Sequence, residues 1–197
     1  MKYAFTLMFW GFIIVFLEIF IISIDISPDP IGFFMIAVGL YHLESDYPIA
    51  KRGGLTAFIL AALSTPSVFI ANNDLHEAIT GGWFFYSTAL TIMEVILVYF
   101  ILKLMIEICK EFKLEELQNK YKTFLNWYVS VFIIVHLLSA FTLNVYSNTY
   151  GSLVIIFGLI SLVFHIVFLV YLFKFRQIEE NNHYDTDLPD QKENVNE

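Results

Sequence analysis

Four ionisable side chains lie inside otherwise apolar stretches of this sequence: Glu18, Glu94, His136 and His165. Carboxylate oxygens and imidazole nitrogens bind divalent cations, and imidazole exchanges protons near neutral pH. Together these four side chains would form a site that binds a cation or relays protons. The alternative is that neutral Glu and His side chains hydrogen-bond between helices and only hold them together, at about 0.6 kcal/mol per contact. No HExxH motif or other closely spaced ligand pair selects between these two interpretations.

The residues around these four predict that they face other helices rather than lipid. A charge at the centre of a bilayer costs about 2.5–3.5 kcal/mol on insertion scales, so such groups normally face the interior of a helix bundle. Small and hydroxylated residues recur at helical spacing on the same faces, and small residues mark close helix packing. These stripes are Gly11, Glu18 and Asp25; Ser87, Thr91 and Glu94; His136, Ser139 and Ala140; Gly151, Gly158, Ser161 and His165; and Gly32 with Gly39.

A second candidate site is acidic and consists of Asp25 and Asp29, in the break between the first two apolar runs. Asp29 followed by Pro30 is typical of a helix start. The helix from there to Leu43 is short for a hydrocarbon core of about 30 Å, which would place both carboxylates partly below the surface. The alternative is that they only cap helices. A helix cap is the favoured interpretation for Asp74 and Glu77, which lie in a later polar segment with His76.

The composition predicts an all-α integral membrane protein. Of the residues, 58% are hydrophobic and 15% charged, whereas a soluble domain has about 25% charged residues. Apolar runs of membrane-spanning length predict a six-helix bundle over residues 1–176, with a short second helix that starts at the Pro/Asp break. The predicted spans are about 4–24, 28–44, 55–71, 83–104, 124–145 and 152–173.

The basic residues predict the orientation of this bundle. With six spans and a cytoplasmic N-terminus, all 11 lysines and arginines lie on the cytoplasmic side and the outer loops hold none. Basic residues concentrate on the cytoplasmic side of membrane proteins. Both termini are therefore expected in the cytoplasm.

Two cytoplasmic segments are candidate surfaces for a protein partner. The fourth span is expected to continue as a charged helix over 105–122, with Lys103 and Glu107, and Glu116 and Lys120, at the spacing of helical ion pairs. Residues 177–197 form an acidic tail that we expect to be disordered. The net charge of −8 disfavours nucleic acid as a partner, and the lipid bilayer is the expected surrounding. Oligomeric state stays open.

The string Asp25-x-x-Pro28-Asp29-x-Ile31-Gly32-Phe33, followed by Gly39-Leu40, resembles a motif in small multi-pass bacterial membrane proteins of uncharacterised function. The resemblance covers under a tenth of the chain. It implies a bacterial plasma-membrane location and a short second helix, and it carries no activity.

Most enzyme signatures are missing from the sequence. It has no GxSxG elbow, no Walker lysine and no dinucleotide glycine pattern, and no cofactor is expected. The single cysteine, Cys109, excludes an internal disulfide and a cysteine-based metal cluster. We expect a non-enzymatic accessory or interaction module. The alternative is a small transporter or binding subunit for a cation or a proton-coupled solute, which would use the four buried ionisable residues.

Overall fold

The computed structural model describes the backbone of residues 1–20, 29–66, 82–142 and 147–177, and the side chains of residues 1–16, 29–66, 85–138 and 155–177. The described chain forms six α-helices and no strand, in agreement with the predicted all-α class. The helices are α1 Lys2–Phe20, α2 Asp29–Tyr41, α3 Pro48–Ser64, α4 Gly82–Glu111, α5 Glu115–Thr142 and α6 Ser147–Phe175. The predicted tail at 177–197 lies almost wholly outside the described residues.

Glycines let α1 and α2 pack backbone against backbone. A Cβ on Gly11 would lie 2.6 Å from the carbonyl oxygen of Gly32, and a Cβ on Gly32 would lie 2.6 Å from that of Gly11. A Cβ on Gly39 would meet the carbonyl oxygen of Ala4 at 2.7 Å. Early residues of α1 thus face late residues of α2, so the two helices are antiparallel. The predicted packing role of Gly11, Gly32 and Gly39 is confirmed.

Each helix packs against its neighbours in the sequence, and α6 closes the arrangement by packing against α1. The rings of Phe5 and Phe175 are 4.7 Å apart, and those of Phe12 and Phe168 are 5.0 Å apart, so α6 is antiparallel to α1. The middle of α4 is deeply buried in this bundle through Leu97, Val98 and Ile101. A single core of large apolar side chains therefore connects all six helices.

Three helices are long and apolar enough to cross a membrane: α4 over Phe85–Glu111, α5 over Glu115–Leu138 and α6 over Ile155–Phe175. The described parts of α1 and α2 are shorter apolar helices. Many large apolar side chains on the outside of the bundle are exposed, including Phe58, Ile134 and Leu159. This surface is typical of a membrane protein, because lipid acyl chains cover apolar side chains whose exposure to water is unfavourable.

The antiparallel arrangement places every described lysine and arginine toward the same end of the bundle, which we call the basic end. They come from the start of α1, the start of α3, the end of α4, the turn after it, the start of α5, and the end of α6 with the residue after it. They are Lys2, Lys51, Arg52, Lys103, Lys110, Lys113, Lys120, Lys122, Lys174 and Arg176.

The predicted helical extension over 105–122 differs in the structure. The helix α4 ends at Glu111 and α5 begins at Glu115, so a tight turn divides the segment. Lys113 has a positive φ of 57°, and the Leu114 N–H donates to the Cys109 carbonyl at 2.8 Å, a hydrogen bond typical of a helix C-terminal cap. Neither predicted ion pair forms. Instead the Lys103 Nζ lies 5.9 Å from the Tyr99 ring and the Lys120 Nζ 5.2 Å from the Tyr171 ring.

The predicted third span at 55–71 also begins earlier than expected. The helix α3 starts at Pro48, directly after Tyr47, so Lys51 and Arg52 lie within its first turns rather than in a loop. Proline has no backbone N–H, but at the first helical position that N–H would have no partner within the helix. Proline is therefore well tolerated there. The helix ends at Ser64, before Pro66, which agrees with the bias of proline against a continuing helix.

Candidate functional site

Two of the four predicted ionisable residues come together inside the bundle. Glu94 lies on α4 and His165 on α6, and the Glu94 Oε1 is 3.6 Å from the His165 Nε2. Their side chains are only 14% and 9% exposed. Since residues on separate helices supply the two groups, the contact depends on the tertiary fold and not on sequence spacing.

The hydrogen bonds of His165 determine which ring nitrogen carries a proton. The Nδ1 lies 2.8 Å from the carbonyl oxygen of Ser161, one turn earlier on α6. A carbonyl only accepts hydrogen bonds, so Nδ1 is protonated and donates. The Nε2 lies 3.2 Å from the hydroxyl of Tyr128 on α5. In the neutral imidazole the Tyr128 hydroxyl therefore donates to Nε2, and the ring is linked to both α5 and α6.

Glu94 and His165 face each other without a direct hydrogen bond, since 3.6 Å is too long for one. The Glu94 Oε1 is buried and makes no hydrogen bond among the described residues. A buried carboxylate is costly without a compensating charge, and the His165 imidazole beside Glu94 is a group that can carry one. The pair therefore brings one group that can be negative against one group that can be positive, inside the bundle.

Aromatic rings enclose His165. The ring of Phe16, on α1, contacts the imidazole at 4.6 Å between centroids, and the ring of Phe132, on α5, does so at 5.1 Å and nearly at right angles. Tyr128 is fully buried and stacks on Phe132. These rings surround the imidazole with apolar groups, and electrostatic interactions are strong in such a region of low dielectric.

His136 lies outside this cluster. Its Nδ1 is 2.9 Å from the carbonyl oxygen of Phe132, one turn earlier on α5, and its half-buried ring lines an apolar groove of about 530 Å³ between α4 and α5. Phe132 contacts both histidine rings and lies between them. His136 is therefore a neighbour of the pair and not a member of it.

The other predicted acidic residues are placed only in part. The backbone of Glu18 belongs to α1, but its side chain lies outside the described residues, and Asp25 lies outside them entirely. Asp29 is in the first turn of α2, is half-buried and interacts electrostatically with Tyr86 of α4. The Tyr86 hydroxyl donates to the carbonyl of Leu63. The Asp29 side chain thus lies where α2, α3 and α4 meet, at the end opposite the basic end.

Within the residues whose side chains are described, no group of three His, Cys, Asp or Glu is placed to hold a metal ion. The Glu94–His165 pair offers one carboxylate and one imidazole, which suffice for a proton. Comparisons with protein-family models, curated proteins and solved structures found no match. Function is therefore inferred from the chemistry of the pair and its surroundings.

Tyr128 is the member of the cluster that the sequence interpretation missed. It shares one face of α5 with Phe132 and His136, at steps of four residues. A tyrosine inside an apolar helix normally finds a hydrogen-bond partner for its hydroxyl. That rule, applied to this face, would have singled out Tyr128 as a partner for a buried Glu or His.

Proposed function

We propose that this chain is a six-span protein of the bacterial plasma membrane, with both termini in the cytoplasm, that couples proton binding to the movement of a cation or another solute. The Glu94–His165 pair binds and releases the proton. The observation that carries the proposal is the 3.6 Å approach of a buried carboxylate to a buried imidazole from different helices.

The six-span topology is supported by the position of the basic residues. A bundle of alternating helices with all its described lysines and arginines toward one end matches the bias of membrane proteins toward basic cytoplasmic loops. The resemblance of the stretch from Asp25 to Leu40 to small bacterial membrane proteins supports the plasma membrane as the location. The helices α1, α2 and α3 would then cross as the shorter members of the bundle.

Proton coupling is supported by the position of the pair, which lies inside the bundle with one group on α4 and the other on α6. Intramembrane acidic and histidine residues are typical of proton relays and of ion pathways. A shift of α6 relative to α4 would lengthen the Glu94–His165 distance and leave each group without its partner, which favours exchange of the proton with water. Conversely, release of the proton would favour separation of the two helices, because binding and conformation are linked.

The proposal is tested with the purified chain in vesicles that contain a pH-sensitive dye and carry a potassium diffusion potential set by valinomycin. We expect potential-driven proton entry that Glu94→Gln and His165→Gln each reduce by at least tenfold. Glu107→Gln is the matched control, since Glu107 is an exposed glutamate of the same helix, and it should retain the flux. Equal proton entry in the parent chain and in Glu94→Gln would overturn the proposal.

A second proposed function is an accessory or interaction module, favoured by the charged hairpin that joins α4 to α5 at the basic end. The helix α4 has 30 residues, about 45 Å, and thus extends beyond a hydrocarbon core of about 30 Å. The exposed side chains of Glu107, Lys110, Glu115 and Glu116 are available to a partner there. If Glu115→Lys with Glu116→Lys left every co-purifying protein bound, this role would be excluded for the hairpin.

A further inference from the structure

A second groove lies at the basic end of the bundle, between α5 and α6. It has a volume of about 410 Å³ and is lined by Asn119, Lys120, Thr123, Phe124 and Trp127 of α5 and by Tyr171 of α6. Unlike the apolar groove beside His136, it combines a cation, polar side chains and aromatic rings. We call it the α5–α6 groove.

Lys120 provides the positive charge of this groove. It makes no ion pair with a carboxylate among the described residues, although Glu116 is one turn away. Its ammonium group lies 5.2 Å from the centre of the Tyr171 ring, which orients it toward the groove. Lys120 is exposed, so an anion can reach it.

The α5 side chains that line the groove lie at increasing distances from the basic end. Lys120, Thr123 and Trp127 share one face of the helix at steps of three and four residues, with Lys120 nearest the basic end. Trp127 is 62% exposed, and tryptophan is enriched where a membrane meets water. The Lys120 cation therefore lies at the level of a lipid headgroup, and the Thr123 hydroxyl lies at the level of the glycerol region. The Trp127 indole lies deeper, where the acyl chains begin.

We propose that the α5–α6 groove binds one anionic phospholipid. Its phosphate contacts Lys120 and the Asn119 amide, its glycerol region lies near Thr123, and its chains lie along Phe124 and Trp127. Charge complementarity selects an anionic headgroup, because basic pockets between helices on the cytoplasmic side attract anionic lipids. The inference requires the basic end to face lipid headgroups, and it is independent of proton binding by Glu94 and His165.

The test is a titration of the purified full-length chain in detergent with phosphatidylglycerol or phosphatidylcholine, with bound lipids counted by native mass spectrometry. We expect one phosphatidylglycerol to bind preferentially. Lys120→Gln should weaken it about fivefold, the contribution of one lysine near an anionic surface. Lys122→Gln is the control, since Lys122 is exposed two residues away and does not line the groove. Lys120→Arg should restore binding.

Three results would overturn the inference. Equal weakening by Lys120→Gln and Lys122→Gln would show that only the overall charge attracts the lipid. Equal binding of phosphatidylglycerol and phosphatidylcholine would show that no headgroup is selected. Displacement of the bound lipid by millimolar inorganic phosphate would show that the groove binds a free anion and not a lipid.

Discussion

Gly32 and Gly158 are both glycines of apolar helices, yet they have opposite surroundings. A Cβ on Gly32 would be 2.6 Å from a backbone oxygen of α1, whereas a Cβ on Gly158 would meet none of the described residues within 4 Å. The predicted stripe of Gly158 and His165 on one packing face is therefore wrong for Gly158. Helical spacing predicts on which face of a helix a residue lies. Whether that face is buried depends on whether another helix packs against it.

The same contrast divides α6 into two halves. Toward the basic end, His165, Phe168, Leu172 and Phe175 are buried against α1 and α5, whereas the residues from Ile155 to Val163 are mostly exposed. The Glu94–His165 contact lies where α6 leaves the packed part of the bundle. This location suits a contact that opens and closes, since the helix beyond it makes few packing interactions with the residues that the structure describes.

Gly32→Val provides the largest test of this contrast. Its side chain would enter the backbone contact with α1, and overpacking that only a backbone shift can relieve should cost about 3 kcal/mol, the upper end of the usual range. Gly158→Val, in open surroundings, should change stability by less than about 1 kcal/mol. Thermal denaturation in detergent, followed by size-exclusion chromatography, compares them. Similar midpoints for the two variants would contradict the close α1–α2 contact.

The two histidines provide the next test. His165→Phe would keep the aromatic contacts but leave the buried Glu94 carboxyl and the Tyr128 hydroxyl without their partner, at a cost of about 1–3 kcal/mol. His136→Phe removes no partner from a buried side chain in the described part of the chain and should cost less than about 1 kcal/mol. The same denaturation measurement separates them. If His136→Phe lowered stability more than His165→Phe, the more important contacts would lie in the apolar groove between α4 and α5 and not around His165.

These contacts also show how far the sequence determines the site. Glu94 and His165 are recognisable as buried groups because charge is rare and expensive in an apolar helix. Their approach to each other depends on α5 packing against both α4 and α6, which no local pattern encodes. Likewise, spacing predicted ion pairs for Lys103 and Lys120, but nearby tyrosine rings offered these lysines a competing contact.

A further test concerns Tyr47 at the basic end. Its hydroxyl donates to the Glu111 Oε2 at 2.5 Å and thereby joins the α2–α3 turn to the end of α4. Tyr47→Phe should cost about 0.5–1.5 kcal/mol. Burial, and then the hydrogen bond and charge of Glu111, raises the pKa of Tyr47 above its ordinary value. The unfolded chain therefore ionises first, and this stabilisation is complete below about pH 10 and declines above it.

The measurement for Tyr47 is the difference in denaturation midpoint between the parent chain and Tyr47→Phe from neutral to alkaline pH. Other tyrosines contribute equally to both proteins and cancel in that difference. We expect the difference to be constant near neutral pH and to shrink above about pH 10. A difference that grew with pH would mean that the phenol does not donate to Glu111.

The smallest effect is expected at the turn between α4 and α5, where Lys113 has a φ of 57°. A side chain in this left-handed conformation costs about 1–2 kcal/mol, and Lys113→Gly would remove that strain. Glycine also gains entropy in the unfolded chain, which offsets about 0.4–1 kcal/mol of the benefit. The net result should be a stabilisation of about 0.5 kcal/mol, visible as a small rise in the denaturation midpoint. Lys110→Gly, in the last turn of α4, should lower the midpoint instead, because glycine is a poorer helix former than lysine.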